Sequence, residues 1–274
     1  MAKRSTGWTE NKIARYEKEG RGKGEFGSYK PWLTIQDVPS EGRSHRPKGW
    51  KTKRIHHLLS DLELKYFHCL EWADDVIDIR EQFPIDREAT LKIAEEKGIN
   101  HPTDNESGTP IVSTTDFLIT VRRNGKIAYL ARSTKPASKV HDKRAIEKLE
   151  IEREYWTRQN VSWGIVTERN IEKVFSDNMK VFHPAYFELE EDLYSRKDDL
   201  LYYLSQLNAP LSKELLEFDR YFGISEGSGL ALFKHLVATK VIGFDIKTKK
   251  FHSRINSSEF SYPHIKELGR REVK

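Results

Sequence analysis

The chain has 274 residues, 32% of them charged and 37% hydrophobic, with a mean hydropathy of −0.71, which excludes both a membrane protein and a core-poor disordered tail. A single cysteine, Cys69, rules out a disulfide framework and any zinc site built from two or more thiolates, and it fits a reducing compartment. The net charge of +5 is unevenly placed: residues 1–57 hold fourteen Lys and Arg against six Asp and Glu, so the whole basic excess is N-terminal.

At roughly 150 residues per domain the length predicts about two domains. No segment has the apolar run of a signal peptide or the roughly 20 apolar residues that span a bilayer, so a location inside the cell, in the cytoplasm, is expected. Residues 1–55 read as a basic arm with turns, carrying a short helix near Asn11–Glu19. Its Trp8, Tyr16, Tyr29, Trp32 and Trp50 could stack on nucleic acid while the lysines neutralise phosphates, or could simply pack. Gly22, Gly24 and Gly27 match the dinucleotide-binding fingerprint by letters alone, without the strand before and the helix after that the loop needs. That reading is rejected.

From Ser60 to about Trp72 the pattern is helical, with Leu59, Leu62, Tyr66 and Cys69 as its expected apolar stripe. Val76–Phe83 alternates like a strand and stops at Pro84. A polar excursion from Asp86 to Pro110 follows, helical over Glu88–Lys97. Thr115–Val121 and Lys126–Thr134 form two strands joined across Asn124-Gly125, a strong hairpin signal. Val140–Gln159 reads as a long charged helix with Ile146, Leu149 and Trp156 inward, and Val161–Thr167 as a buried strand. These elements make a mixed α/β domain over residues 56–169. Residues 170–274 read as helices at Pro184–Asn208, Leu211–Tyr221 and Ser228–Lys240, closed by short strands at Val241–Ile246 and Lys250–Ile255. Helices ending on a basic hairpin suggest a winged-helix-like domain.

The first hairpin carries chemistry. With Asn124 and Gly125 as a two-residue turn, paired positions add to 249, so Asp116 is expected opposite Ser133, with Lys135 one pleat further on the same face, diagonal at about 7 to 8 Å. An acid and an ammonium on one face of apolar strands can serve a divalent cation that activates water for phosphodiester hydrolysis. The same pair can be an ordinary strand-end salt bridge. Glu63 is the candidate second acid, although Ser60 and Glu63 also spell a capping box. Glu152, on a highly charged helix, reads locally as a surface charge. His56, His57 and His68 lack the spaced acid or thiol partners of a metal site and are read as hydrogen-bonding or phosphate-contacting residues. Cys69 is read as structural, and no nucleophile elbow is present.

In chain order, His56 to Glu63 (HHLLSDLE), Asp78 to Pro84 (DIREQFP), Ser113 to Phe117 (STTDF), Lys135-Pro136 and Glu147 to Trp156 (EKLEIEREYW) resemble the TnsA family, the endonuclease subunits of heteromeric cut-and-paste transposons. The likeness spans about residues 30–170, and the last third resembles the family only in outline. It implies a restriction-endonuclease-like fold with Glu63 and Asp116 as metal ligands and Lys135 as the catalytic lysine. Glu152 lies where a further active-site acid is expected. Ser133 stands where the family usually has Glu or Gln, so the Thr134 backbone carbonyl is expected to serve the metal in its place. Thr115 replaces a proline that often precedes the first strand acid. The resemblance further implies Mg²⁺, with Mn²⁺ able to substitute, and cleavage of the 5′ strands at transposon ends. The implied partners are DNA, a DDE transposase (TnsB) and an AAA+ regulator (TnsC). Two other readings stand beside it: a stand-alone restriction or repair nuclease of the same fold, and a DNA-bound regulator or scaffold without chemistry.

Overall fold

Residues 7–38, 42–187, 189–252 and 254–262 are described by a computed structural model, which divides into two compact units meeting at Ile171 and Glu172. The first contains, in order, α1 (Glu10–Lys18), α2 (Asp61–Trp72), β1 (Val76–Pro84), α3 (Arg87–Glu96), β2 (Thr114–Arg123), β3 (Lys126–Thr134), α4 (Lys143–Arg158) and β4 (Ser162–Val166). The strands lie side by side in chain order. The first three are antiparallel and β4 runs parallel to β3, with α4 as the crossover. This is the mixed sheet flanked by helices that the sequence predicts.

β2 is buried on both faces from Phe117 to Val121, which is why it reads as a nearly continuous apolar run. Phe117, Ile119 and Val121 pack with Phe67 and Leu70 of α2, while Leu118 and Ala131 pack with Trp156 of α4. Asn124 (φ +50°) and Gly125 (φ +74°) make the tight turn. The expected register holds from Arg123↔Lys126 to Phe117↔Arg132.

Two expected helix faces are rotated. In α2 the buried side is Glu63, Phe67, Leu70 and Glu71, and Leu62, Tyr66 and Cys69 are only half-buried. Glu63 and Glu71 turn inward because each takes a backbone N–H from the preceding loop, that of Leu59 at 2.8 Å and that of Trp50. In α4, Ile146 is 49% exposed. Its inward arc runs through Leu149, Ile151, Glu152 and Trp156, because Ile151 packs against Ile93 and Ala94 of α3.

The basic N-terminal segment belongs to this unit, and its rings pack. Tyr16 and Trp32 form a cluster with Ile13 and Val112, and Trp8 lies against it; Tyr29 and Trp50 are also buried. Glu81 of β1, fully buried, accepts bonds from the Arg54 guanidinium (2.5 and 2.8 Å), the His56 ring (2.8 Å) and the His57 N–H (3.0 Å). Burial opposes ionisation of its carboxyl, yet His56 and Arg54 hold it well below the usual range. Of the two alternatives for these histidines, the fold displays hydrogen bonds: the His56 ring to Glu81, and the His57 ring accepting the Ile35 N–H at 3.4 Å. Gly22 serves close packing, since a Cβ there would lie 2.2 Å from the Pro84 ring.

The second unit is helical: α5 (Lys173–Ala185), α6 (Glu191–Tyr194), α7 (Lys197–Ser205), α8 (Leu211–Phe222) and α9 (Ser228–Ala238). Phe175, Met179 and Phe182 give α5 its buried stripe. The expected single helix Pro184–Asn208 is instead the end of α5 followed by α6 and α7, with Pro184 in the last turn of a helix and not the first. The expected closing hairpin, Val241–Ile246 with Lys250–Ile255, is not formed. Among the described residues no strand follows α9, and only single bridges such as Gly243↔Ser261 occur. The Asn178 side chain takes the backbone groups that a ladder would pair, donating to the carbonyls of Ile246 and Lys249 and accepting the Phe251 N–H, all at 2.8 Å.

Candidate active site

The C-terminal end of β3 and the facing end of β2 gather most of the candidate residues. Asp116 lies just beyond the last pair of the β2–β3 ladder, and the β1–β2 register skips both it and Gln82, passing from Glu81↔Phe117 to Phe83↔Thr115. Released from pairing, its carboxylate reaches one residue past the expected Ser133. Its Oδ2 accepts the Thr134 N–H at 2.7 Å and the Thr134 hydroxyl at 2.9 Å. The Oδ1 accepts nothing among the described residues. Because strand N–H and C=O groups of one residue point the same way, the Thr134 carbonyl is turned toward the same edge as Asp116.

Lys135 follows immediately. Its N–H donates to the Val166 carbonyl at 2.9 Å, so the parallel strand β4 fixes where the side chain leaves the sheet. Its ammonium makes no ion pair or hydrogen bond among the described residues.

Glu63 enters from the first turn of α2, on the apolar face that carries Phe67. Ser60 caps the helix, its hydroxyl accepting the Glu63 N–H at 3.1 Å and donating back to Oε1 at 2.9 Å. The capping is therefore real, but Oε2 goes to the Leu59 N–H and not to that of Ser60. The Gln82 amide donates to the same Oε2 at 3.3 Å. Burial and then the charge of Asp116 push the Glu63 carboxyl up to about 8, with the Leu59 N–H, Ser60 and Lys135 pulling the other way. The Glu63 carboxyl thus feels the charges of both Asp116 and Lys135.

Ser133 and Glu152 form a second layer. Both are buried, and the Ser133 hydroxyl donates to Glu152 Oε1 at 2.5 Å. Glu152 is not a surface charge: burial raises its carboxyl to about 7, the Ser133 bond lowers it and the Asp116 charge raises it again. One signal could have found it, because Glu152 falls three residues after Leu149 and four before Trp156 on the inward arc of α4. Beside it, the Trp156 ring N–H donates to the Thr115 hydroxyl at 2.6 Å, a role that proline could not fill.

Gln82 went unnoticed in the sequence. It is buried, left-handed at φ +48°, and bridges Glu63 to β2 by accepting the Thr114 hydroxyl at 3.2 Å. Among the described residues no three His, Cys, Asp or Glu side chains converge tightly enough to hold a metal by themselves. A cation here would rest on two carboxylates and backbone oxygen, the donor set of a hard ion such as Mg²⁺. Glu63 uses three of about four acceptor positions and leaves one, and Asp116 leaves Oδ1, so the residues fit such an ion.

The chain matches the family model for the TnsA-like endonuclease N-terminal domain over residues 73–168 and that for the TnsA endonuclease C-terminal domain over residues 170–246. It is similar to the transposon Tn7 transposition protein TnsA of Escherichia coli, with 39% identity over 248 residues that make up 90% of each chain.

Proposed function

The chain belongs to the TnsA endonuclease family, and on that premise we propose that it is a Mg²⁺-dependent DNA endonuclease that hydrolyses the 5′, non-transferred strands at transposon ends during cut-and-paste transposition. Glu63, Asp116 and the Thr134 carbonyl are the metal ligands in this reading, with Mn²⁺ able to replace Mg²⁺. The observation that carries it is a chain of hydrogen bonds: Gln82 bonds Glu63 at 3.3 Å and Thr114 of β2 at 3.2 Å, two residues before Asp116, whose carboxylate accepts from Thr134, the residue before Lys135.

A bound cation would acidify a water and stabilise charge developing on the scissile phosphate. The chain supplies the rest. Thr134 holds Asp116 in one orientation through two hydrogen bonds. Leu59, Ser60 and Gln82 hold Glu63. Lys135, anchored through β4 with its ammonium unpaired among the described residues, orients the attacking water. Ser133 and Glu152 support the strand end from beneath and take no direct part with the metal.

Partners in this reading are the DNA ends, the DDE transposase TnsB and the AAA+ regulator TnsC, in the bacterial cytoplasm. No helix among the described residues is long and apolar enough to cross a membrane. The test is strand-specific cleavage of labelled transposon-end DNA in Mg²⁺ with the transposase present. Asp116→Ala should lower release of the 5′ strand by on the order of 10³-fold, several kcal/mol of transition-state stabilisation. Equal release by both proteins would show that the site has no catalytic role and would favour the scaffold.

A further inference from the structure

Lys135 and Glu152 also line a cavity of about 860 Å³. Its floor is apolar, built from Ile85, Val112, Leu149 and Ile151. The face of α4 that borders it presents Ala145, Lys148, Leu149 and Glu152, spaced as one helical stripe. Lys148 stands one turn, about 6 Å along the axis, before Glu152, and makes no ion pair or hydrogen bond among the described residues. Arg144, a turn further out, is held toward the rim by the Asn100 carbonyl (2.7 Å) and Glu147 (2.8 Å). The two acids on the rim are already engaged, Asp37 by Tyr16, Arg21 and Thr34, and Asp142 as the cap of α4.

An apolar floor suits the face of a nucleobase, and an unpaired ammonium beside a held guanidinium suits phosphates. The volume is far too small for a duplex. We propose that this cavity receives the nucleotide flanking the scissile phosphate, unstacked from the duplex, with its base on the apolar floor and its phosphate on Lys148 and Arg144. The proposal rests on the nuclease reading above, and it adds a requirement of its own: the strand must leave the stack beside the bond that is cut.

The probe is transposon-end DNA carrying 2-aminopurine at successive positions on both sides of the cleaved bond, mixed with the transposase and the full-length Asp116→Ala chain so that the strand stays intact. Fluorescence should rise at one flanking position. Adding Ala145→Trp to that chain, which fills the cavity from a half-buried helix position, should abolish the rise; Ala145→Trp alone should lower cleavage about tenfold or more. Lys148→Ala should keep the melting temperature and reduce the salt dependence of DNA binding by about one counterion. Cleavage by the wild-type chain with no brightening at any position, or an Ala145→Trp chain that brightens and cleaves normally, overturns the cavity assignment and leaves the nuclease reading intact. Absence of cleavage by the wild-type chain overturns both.

Discussion

Gln82 holds a left-handed backbone in the middle of a strand, φ +48°, a conformation that costs a residue with a Cβ roughly 1–3 kcal/mol. What it secures is visible in its bonds: the amide donates to Glu63, accepts from Thr114, and the main-chain carbonyl accepts the Trp32 N–H at 3.2 Å. It is a positioning residue that ties one acid to the strand bearing the other. Gln82→Gly should keep the fold within about 1 kcal/mol, because glycine adopts this φ freely, while cleavage falls about tenfold in kcat with KM unchanged. Gln82→Ala should lose the same activity and also melt lower than the glycine variant. If Ala and Gly melted alike and cleaved like wild type, the bridge would be incidental. None of this is legible in the letters, since the alternation of β1 assigns Gln82 simply to the polar side and a torsion angle leaves no mark on composition. The placing of Asp116 and Lys135 at one end of the β2–β3 hairpin was legible because hairpin register is a local property. The pairing of Asp116 with Ser133 was not, because the ladder ends one residue short of it and the carboxylate turns to Thr134.

At the level of elements, the sequence announced the first unit far better than the second. Every predicted helix and strand from Asp61 to Val166 exists, because Ser60, Asp86 and Asp142 are real caps and Asn124-Gly125 a real turn. The missing closing hairpin has a distant cause, hydrogen bonds that span 68 to 73 residues of chain. Asn178 on α5 occupies the carbonyls of Ile246 and Lys249 and the N–H of Phe251, and Phe251 and Phe244 insert their rings against Phe182. Short-range patterning cannot reveal a buried amide elsewhere that outcompetes a ladder. Asn178→Ala deletes three hydrogen bonds, that to Ile246 buried and those to Lys249 and Phe251 part-buried, so it should cost about 3 kcal/mol in denaturant unfolding. The Phe251 amide should lose most of its hydrogen-exchange protection. A loss under about 1 kcal/mol, with that amide still protected, would mean that the aromatic packing alone sets the path of this segment.

For the whole molecule, the buried acids make stability depend on pH in a direction opposite to ordinary acid denaturation. Burial raises Glu63 to about 8 and both Glu71 and Glu152 to about 7, each from an ordinary value of 4.5. Above 4.5 the unfolded chain has released these protons while the folded chain still holds them, so the folded state binds more protons and loses stability as pH rises through 7 and 8. His57 and His101, pulled down by burial, act the other way, but only below their ordinary 6.5. The clean window is therefore pH 6.5 to 8, where each carboxyl still protonated in the fold contributes a slope of up to about 1.4 kcal/mol per pH unit. The metal-free chain should melt at lower temperature as pH rises across that window. Mg²⁺ should displace the Glu63 proton and remove that carboxyl's share of the slope. Glu63→Gln should remove that same share without metal and abolish the response to Mg²⁺. Glu71→Gln should remove only its own share and keep that response, because Glu71 serves the Trp50 N–H and stands outside the carboxylate pair. A metal-free melting temperature that stays level or climbs between pH 6.5 and 8 would mean that the Glu63 carboxyl is already ionised in the fold, and that no cation is needed to hold the two acids together.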